Sequence, residues 1–226
     1  MSAVFVTGTG TDIGKTFLTA ALIHTLRRRG KPVDALKPVA SGFDSAQTST
    51  SDPGILLAAL GEAATAAALD RIAPWRYAAP LSPDMAAARE GRALDFAALL
   101  RFTRERIQVT PATLLIEGVG GVMVPLDERH TVLDWIEAAH VPVLLVTGSY
   151  LGAMSHALTA LDALLRRGLA VRAVIVNESL GSTVDLKETA ATLQRFTPPP
   201  TPILTLPHLP SSDAPHPTLQ RLADLL

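Results

Sequence analysis

Residues 7–17 read TGTGTDIGKTF and join a β-branched run, AVFVTG at 3–8, to an alanine- and leucine-rich segment at 15–29. A strand that ends in glycines and small polar residues, then reopens as a helix at Gly-Lys-Thr, leaves few folds available. The backbone N–H groups of such a loop, backed by the positive end of a helix, form an anion cradle. The common phosphate-binding pattern is glycine, four residues, then Gly-Lys-Ser/Thr. Counting back from Gly14-Lys15-Thr16, that pattern wants glycine at position 9, where this chain has Thr9 between Gly8 and Gly10. A cradle of backbone donors tolerates the change because both glycines allow unusual φ. The loop is therefore wider than in the common nucleotide switch. Lys15 is placed to reach terminal phosphates, and Thr16 to offer its hydroxyl to Mg²⁺.

Further short apolar runs follow at 32–40 (PVDALKPVA), 112–118 (ATLLIEG), 141–148 (VPVLLVTG), 169–177 (LAVRAVIVN) and 201–207 (TPILTLP). They are apolar on both faces, as strands covered by helices on both sides should be. Between them lie helical segments at 15–29, 53–60, 95–107, 131–139, 153–167 and 183–196. Arg27, Arg28 and Arg29 before Gly30 make a good helix stop, and Arg166-Arg167-Gly168 repeats it. Strand and helix in alternation predict an α/β fold: a mostly parallel sheet, helices on both faces, three layers, P-loop NTPase-like. At 226 residues, with no internal repeat and no clear linker, one domain spanning 1–226 is expected. The proline-rich stretch 196–217 is not a helix but an ordered loop around an apolar run.

In such sheets ligands bind beyond the carboxyl ends of the strands. In LKPVASG, 36–42, Lys37 stands at such an end, and Pro38 keeps the backbone extended. A lysine there can stabilise charge on a reacting group or simply snorkel to solvent. Ser41 and Gly42 follow as a small polar turn. In LLIEGVGG, 114–121, Glu117 ends a buried strand, where a carboxylate is costly without a partner. It is well placed to hold Mg²⁺, directly or through water, while Gly118, Gly120 and Gly121 let the backbone approach a ligand. Asp52, in SAQTSTSDPG, is the natural second acid, or else a helix N-cap with Pro53 at the first helical position. Asn177 follows the run VRAVIV, where an amide can read the edge of a base.

Other chemistries recede. The chain has no cysteine, which removes disulfides, Cys-zinc sites and thiol catalysis. Its six histidines show no metal spacing, and His156 reads as a packed or surface residue. No serine sits in an elbow motif. A net charge of −1 gives no electrostatic reason to expect nucleic acid or membrane partners. The N-terminus has no basic n-region, and no run approaches the roughly 18 apolar residues of a membrane span. A cytoplasmic globular protein is the expectation.

Taken together, VTGTGTDIGKT, LKPVASG, SDPG, LLIEGVGG and LGAMSH resemble the dethiobiotin synthetase family, in order from residue 4 to about 209. The widened loop is itself a feature of that family. The resemblance implies ATP- and Mg²⁺-dependent closure of a ureido ring on 7,8-diaminononanoate with CO₂, through a carbamate and a carbamic–phosphoric anhydride. It implies Lys37 and Lys15 as the catalytic cations, and Thr16, Asp52 and Glu117 as ligands of Mg²⁺. ATP is expected against Asp12, Ile13, Gly14, Lys15, Thr16, Phe17, Asp52, Glu117, Gly118, Val119 and Gly120. Asn177, Pro207, His208 and Leu209 are expected around adenine. Thr11, Lys37 and Ser41 are expected on the diamine. The family is homodimeric, and Gly152 and Ser155, in the segment 151–156, are expected at the substrate's carboxylate tail in the partner subunit. Many relatives carry glutamate in place of Asp12 and asparagine in place of Ser155.

The rival reading is a dimeric ATPase switch of the ParA or MinD type. It wants a second lysine near the start of the loop, and Thr7 to Thr11 contain none. A small-molecule kinase usually brings an arginine-rich lid, and a cobyrinate-type synthetase needs a glutaminase domain with a cysteine. Neither is visible here.

Overall fold

The computed structural model describes residues 3–226; Met1 and Ser2, which the one-domain expectation included, lie outside the described residues. Six parallel strands form the main sheet: β1 (Ala3–Gly8), β2 (Val33–Leu36), β5 (Thr113–Glu117), β6 (Val143–Gly148), β7 (Val171–Asn177) and β8 (Ile203–Leu206). Their order is β2-β5-β1-β6-β7-β8. The chain leaves β1 toward one edge, returns through β5, and crosses to β6 on the other side. The carboxyl end of β1 is thus where the connections diverge, the point at which such sheets open a crevice.

With the strand order found here, the right-handed crossovers usual for parallel strands put α1 (Lys15–Arg28) and α6 (Val132–Ala139) on opposite faces of the sheet. α1 packs against α2 (Asp52–Leu60) and α9 (Pro217–Asp224), while α5 (Phe96–Val109) packs on α6 and α7 (Ala153–Arg166) on α8 (Leu186–Phe196). Every residue of β6 is buried, as a strand covered on both faces requires. The opposite face is pinned by Trp135, fully buried, whose ring meets Phe5 edge-on at 4.8 Å. Its Nε1 donates to Thr103 Oγ1 at 3.0 Å, tying α6 to α5. A buried tryptophan whose N–H has a partner adds apolar burial without an unmet polar group.

The expected run at 32–40 is not one strand. Lys37 and Pro38 interrupt it: β2 joins the main sheet, and β3 (Val39–Ser41) pairs in parallel with β4 (Trp75–Tyr77) in a separate two-stranded sheet. Proline has no N–H to give a ladder, and the Lys37 N–H goes instead to Ile72 O at 3.0 Å. Between β3 and α5 lie β4 and two short helices, α3 (Ala66–Ile72) and α4 (Pro83–Arg89), none of them anticipated from the sequence; α9 was not anticipated either. The N-cap of α2 is Ser51, whose hydroxyl accepts from the Gly54 N–H at 3.3 Å, rather than Asp52. No helix among the described residues is long and apolar enough to cross a membrane.

Candidate active site

The loop after β1 takes its shape from two left-handed residues, Asp12 (φ 56°) and Gly14 (φ 90°), on either side of Ile13. Gly14 is the N-cap of α1 and makes no side-chain cap, so the helix N-terminus opens onto the loop. Ile13 is buried, and its Cδ1 lies only 2.3 Å from where a Cβ on Gly8 would stand. A side chain at position 8 would have to displace the end of Ile13. Gly10, by contrast, has open space around it.

Beside the loop lies a cavity of about 520 Å³. Thr11, Asp12, Gly14, Lys15, Thr16 and Phe17 line it from the loop and the start of α1. Lys37, just after β2, Ser41 of β3 and Asp52 of α2 line it, as do Val119, Gly120 and Val124 from the segment after β5. Pro80, Leu81, Ser82 and Pro83 complete it.

Two lysines and two acids meet here. Lys37 Nζ, 2% exposed as a residue, donates to Glu117 Oε1 at 2.7 Å and to Gly118 O at 2.8 Å, with Asp52 Oδ2 at 3.0 Å. Burial alone would favour the neutral amine; Glu117 and Asp52 outweigh it and raise the Lys37 pKa above the usual lysine value. For Asp52, burial opposes the charge, but Lys37 outweighs it and the carboxyl pKa falls. Lys15 differs. Its Nζ donates to Gly10 O at 2.6 Å, and burial, then the charge of Lys37, lower its pKa to about 8. Glu117 is fully buried; Thr16 Oγ1 donates to its Oε1 at 2.7 Å, while its Oε2 has no hydrogen-bond partner among the described residues. Ser41 Oγ is likewise buried without a partner. The site therefore holds a cation tied to two acids, a second cation whose pKa is lowered to about 8, and buried oxygens without a partner among the described residues.

Several expected residues stand apart from the cavity lining. Ile13 belongs to the core, and Glu117 and Gly118 reach the cavity through Lys37. Asn177, at the end of β7, donates from Nδ2 to Ile13 O at 3.1 Å. Pro207, His208 and Leu209 follow β8 directly; β7 and β8 pair Asn177 with Leu206, and the His208 N–H donates to Glu178 Oε2 at 2.7 Å. Gly152 caps α7 with φ 97°, Ser155 is exposed, and neither lines the cavity. In the same segment Leu151 is 90% exposed, while His156 Nδ1 lies 2.8 Å from the Tyr150 hydroxyl. The Pro80–Pro83 lining was missed in the sequence, although Ser82-Pro83-Asp84 carries a helix-start signal.

A parallel sheet with a Gly-Lys-Thr loop at the carboxyl end of an inner strand, and a buried acid one strand away, defines a P-loop NTPase-like protein. The AAA domain family model matches residues 2–216. The MinD cell division protein of Aquifex aeolicus shares the fold, with a TM-score of 0.54 at 15% identity over 100% of this chain and 95% of that one. The ATP-dependent dethiobiotin synthetase BioD of Acidiphilium cryptum (strain JF-5) is 48% identical over 204 residues, 88% of this chain and 92% of the relative. That of Caulobacter sp. (strain K31) is 51% identical over 197 residues, 87% and 84% of the two chains. The chain belongs to the ATP-dependent dethiobiotin synthetases. It is thereby an ATP-dependent ligase that closes a ring, a cyclo-ligase.

Proposed function

We propose that this chain, acting as one domain, carboxylates 7,8-diaminononanoate with CO₂ and closes it to dethiobiotin at the expense of ATP, releasing ADP and phosphate. The observation that carries the reading is the Lys37 ammonium, buried between Glu117 and Asp52 on a cavity that Lys15 also lines. An unprotonated amine of the substrate attacks CO₂, forming a carbamate and releasing a proton. Lys37 and Lys15 supply the positive charge that this anion needs. A carbamate oxygen then attacks the γ-phosphorus and ADP leaves, giving a carbamic–phosphoric anhydride. The second amine attacks its carbonyl carbon, phosphate departs with the bonding pair, and the nitrogen loses its proton. Positioning and charge neutralisation suffice for such a transfer, so no covalent nucleophile is required.

The roles follow the family resemblance, and the cavity lining supports those of the loop, Lys37, Ser41 and Asp52. Asp12 to Phe17 and Glu117 to Gly120 border the phosphates. Thr11 and Ser41 hold the diamine, for which the unpartnered Ser41 Oγ is suited. Asn177 and Pro207 to Leu209 border adenine. Gly152 and Ser155 meet the substrate tail bound to a partner subunit in a homodimer. Mg²⁺ fits the donor set: all oxygen, from Thr16, Asp52 and Glu117, with Glu117 Oε2 buried and unpartnered. Among the described residues no cluster of three His, Cys, Asp or Glu side chains could hold a metal alone. That suits an ion held by one or two carboxylates and by substrate phosphates. When bound, the ion neutralises phosphate charge.

Incubation with ATP, 7,8-diaminononanoate and ¹³C-bicarbonate, followed by mass spectrometry, tests the reading. Dethiobiotin carrying one added ¹³C in its ureido carbonyl is the expected product. Unlabelled or absent product, with the diamine recovered unchanged, would sink the proposal.

A further inference from the structure

The Ile13–Gly14 peptide is the pivot of the loop, and it is held from both sides. The Ile13 side chain is anchored in the core over Gly8. Its carbonyl accepts from Asn177 Nδ2 at 3.1 Å. The approach is close: a Cβ built on Gly14 would fall 2.1 Å from that same nitrogen. Asn177 is in turn fixed by the sheet, in register with Gly148 of β6 and Leu206 of β8. Both residues flanking Ile13 are left-handed, Gly14 without steric cost and Asp12 in a region that few L residues other than Asn and Asp visit.

A trans peptide is planar, so its C=O and N–H point opposite ways. Asn177 is not among the cavity-lining residues, whereas Gly14 is. Holding the Ile13 oxygen at Asn177 therefore fixes the direction of the Gly14 N–H, on a residue that lines the cavity. Released, the same peptide could rotate and present a carbonyl to an anion, which repels it.

We propose that Asn177 is a positioning residue for the phosphate loop: its amide fixes the Ile13–Gly14 peptide and sets the grip on the triphosphate, independently of any contact with the base. With Nδ2 committed to the loop, Oδ1 is left for the nucleotide. The same side chain thus links the base end of the ligand to the phosphate end. The proposal rests on the reading of the loop as a triphosphate cradle, and not on the identity of the diamine.

The test uses a ligand with no base. ATP and inorganic tripolyphosphate are titrated calorimetrically into the wild-type chain, Asn177→Ala and the similarly shaped, uncharged Asn177→Leu, and the ligand-free proteins are melted alongside. Both variants are expected to weaken both ligands by about fivefold or more, the worth of one hydrogen bond. Their melting temperatures should stay close to that of the wild type. Should Asn177→Ala fail to fold, Asn177→Leu keeps the shape without adding charge and carries the comparison. A loss confined to ATP would make Asn177 a base reader alone and overturn the clamp, as would no loss for either ligand. Wild-type protein that takes up neither ligand would overturn the cradle reading and the clamp together.

Discussion

The cavity has two linings of different origin. One comes from the ends of the main sheet: the loop at 11–17, Lys37, and the segment after Glu117. The other, Pro80 to Pro83, lies just beyond a three-residue strand of a small sheet. The first is charged and tightly tied, with Lys37, Glu117, Thr16 and Asp52 joined by contacts of 2.7–3.0 Å. The second is mostly apolar. A charged lining can hold a phosphate and a carbamate, and an apolar one suits a hydrocarbon chain. The division implies that changes in the first should cost turnover or nucleotide grip, and changes in the second should cost mainly diamine binding.

The largest expected effect is Lys37→Ala. It removes the charge next to the reacting groups and leaves Glu117 buried without its cation. Product formation should fall by about a hundred- to a thousandfold. A steady-state assay that finds less than a tenfold loss would erase the proposed difference between the linings. Next comes Gly14→Ala. Its φ of 90° and the 2.1 Å approach of Asn177 both oppose a side chain, so ATP affinity should fall by more than about tenfold. Calorimetry reads this directly.

Smaller is the effect of pH on Lys15. Its pKa near 8 lies below the 10.5 of an exposed lysine, so the ligand-free protein loses this charge as pH rises through 8. A bound anion favours the charged form. Triphosphate binding should therefore take up a proton and weaken by up to about tenfold between pH 8 and 9. Titration in two buffers of different ionisation enthalpy counts that proton; no uptake at pH 8.5 would contradict the assignment. The smallest effect belongs to the apolar lining. Leu81→Ala should raise the KM for the diamine about fivefold and leave ATP affinity unchanged. Equal losses for both ligands would mean that the linings are not divided as argued.

The two linings also differed in how far the sequence disclosed them. The loop announces itself, because a Gly-Lys-Thr at a strand-to-helix turn is local chemistry carried by adjacent residues. The six main strands were legible for a related reason: burial on both faces leaves continuous apolar runs. β4 has three residues and α3 and α4 seven each, too short for a period to register. β4 exists because Trp75 to Tyr77 pair with Val39 to Ser41, more than thirty positions earlier. Pairing of that kind is tertiary information. The same limit placed one strand across 32–40, since the apolar residues on both sides of Lys37-Pro38 go to different sheets. Within the site, Asp52 could be read as a cap or as an acid; Ser51 takes the capping, which leaves the Asp52 carboxylate for Lys37. No pattern foretold that Asn177 would reach back to the Ile13 carbonyl.

The central claim is that both linings serve one diamine-dependent phosphoryl transfer. Its most direct test is phosphate release from ATP with Mg²⁺ and bicarbonate, with and without 7,8-diaminononanoate, and with Lys37→Ala in parallel. The account predicts release that requires the diamine and collapses in the variant. Release at the same rate without the diamine, or undiminished in Lys37→Ala, would contradict it.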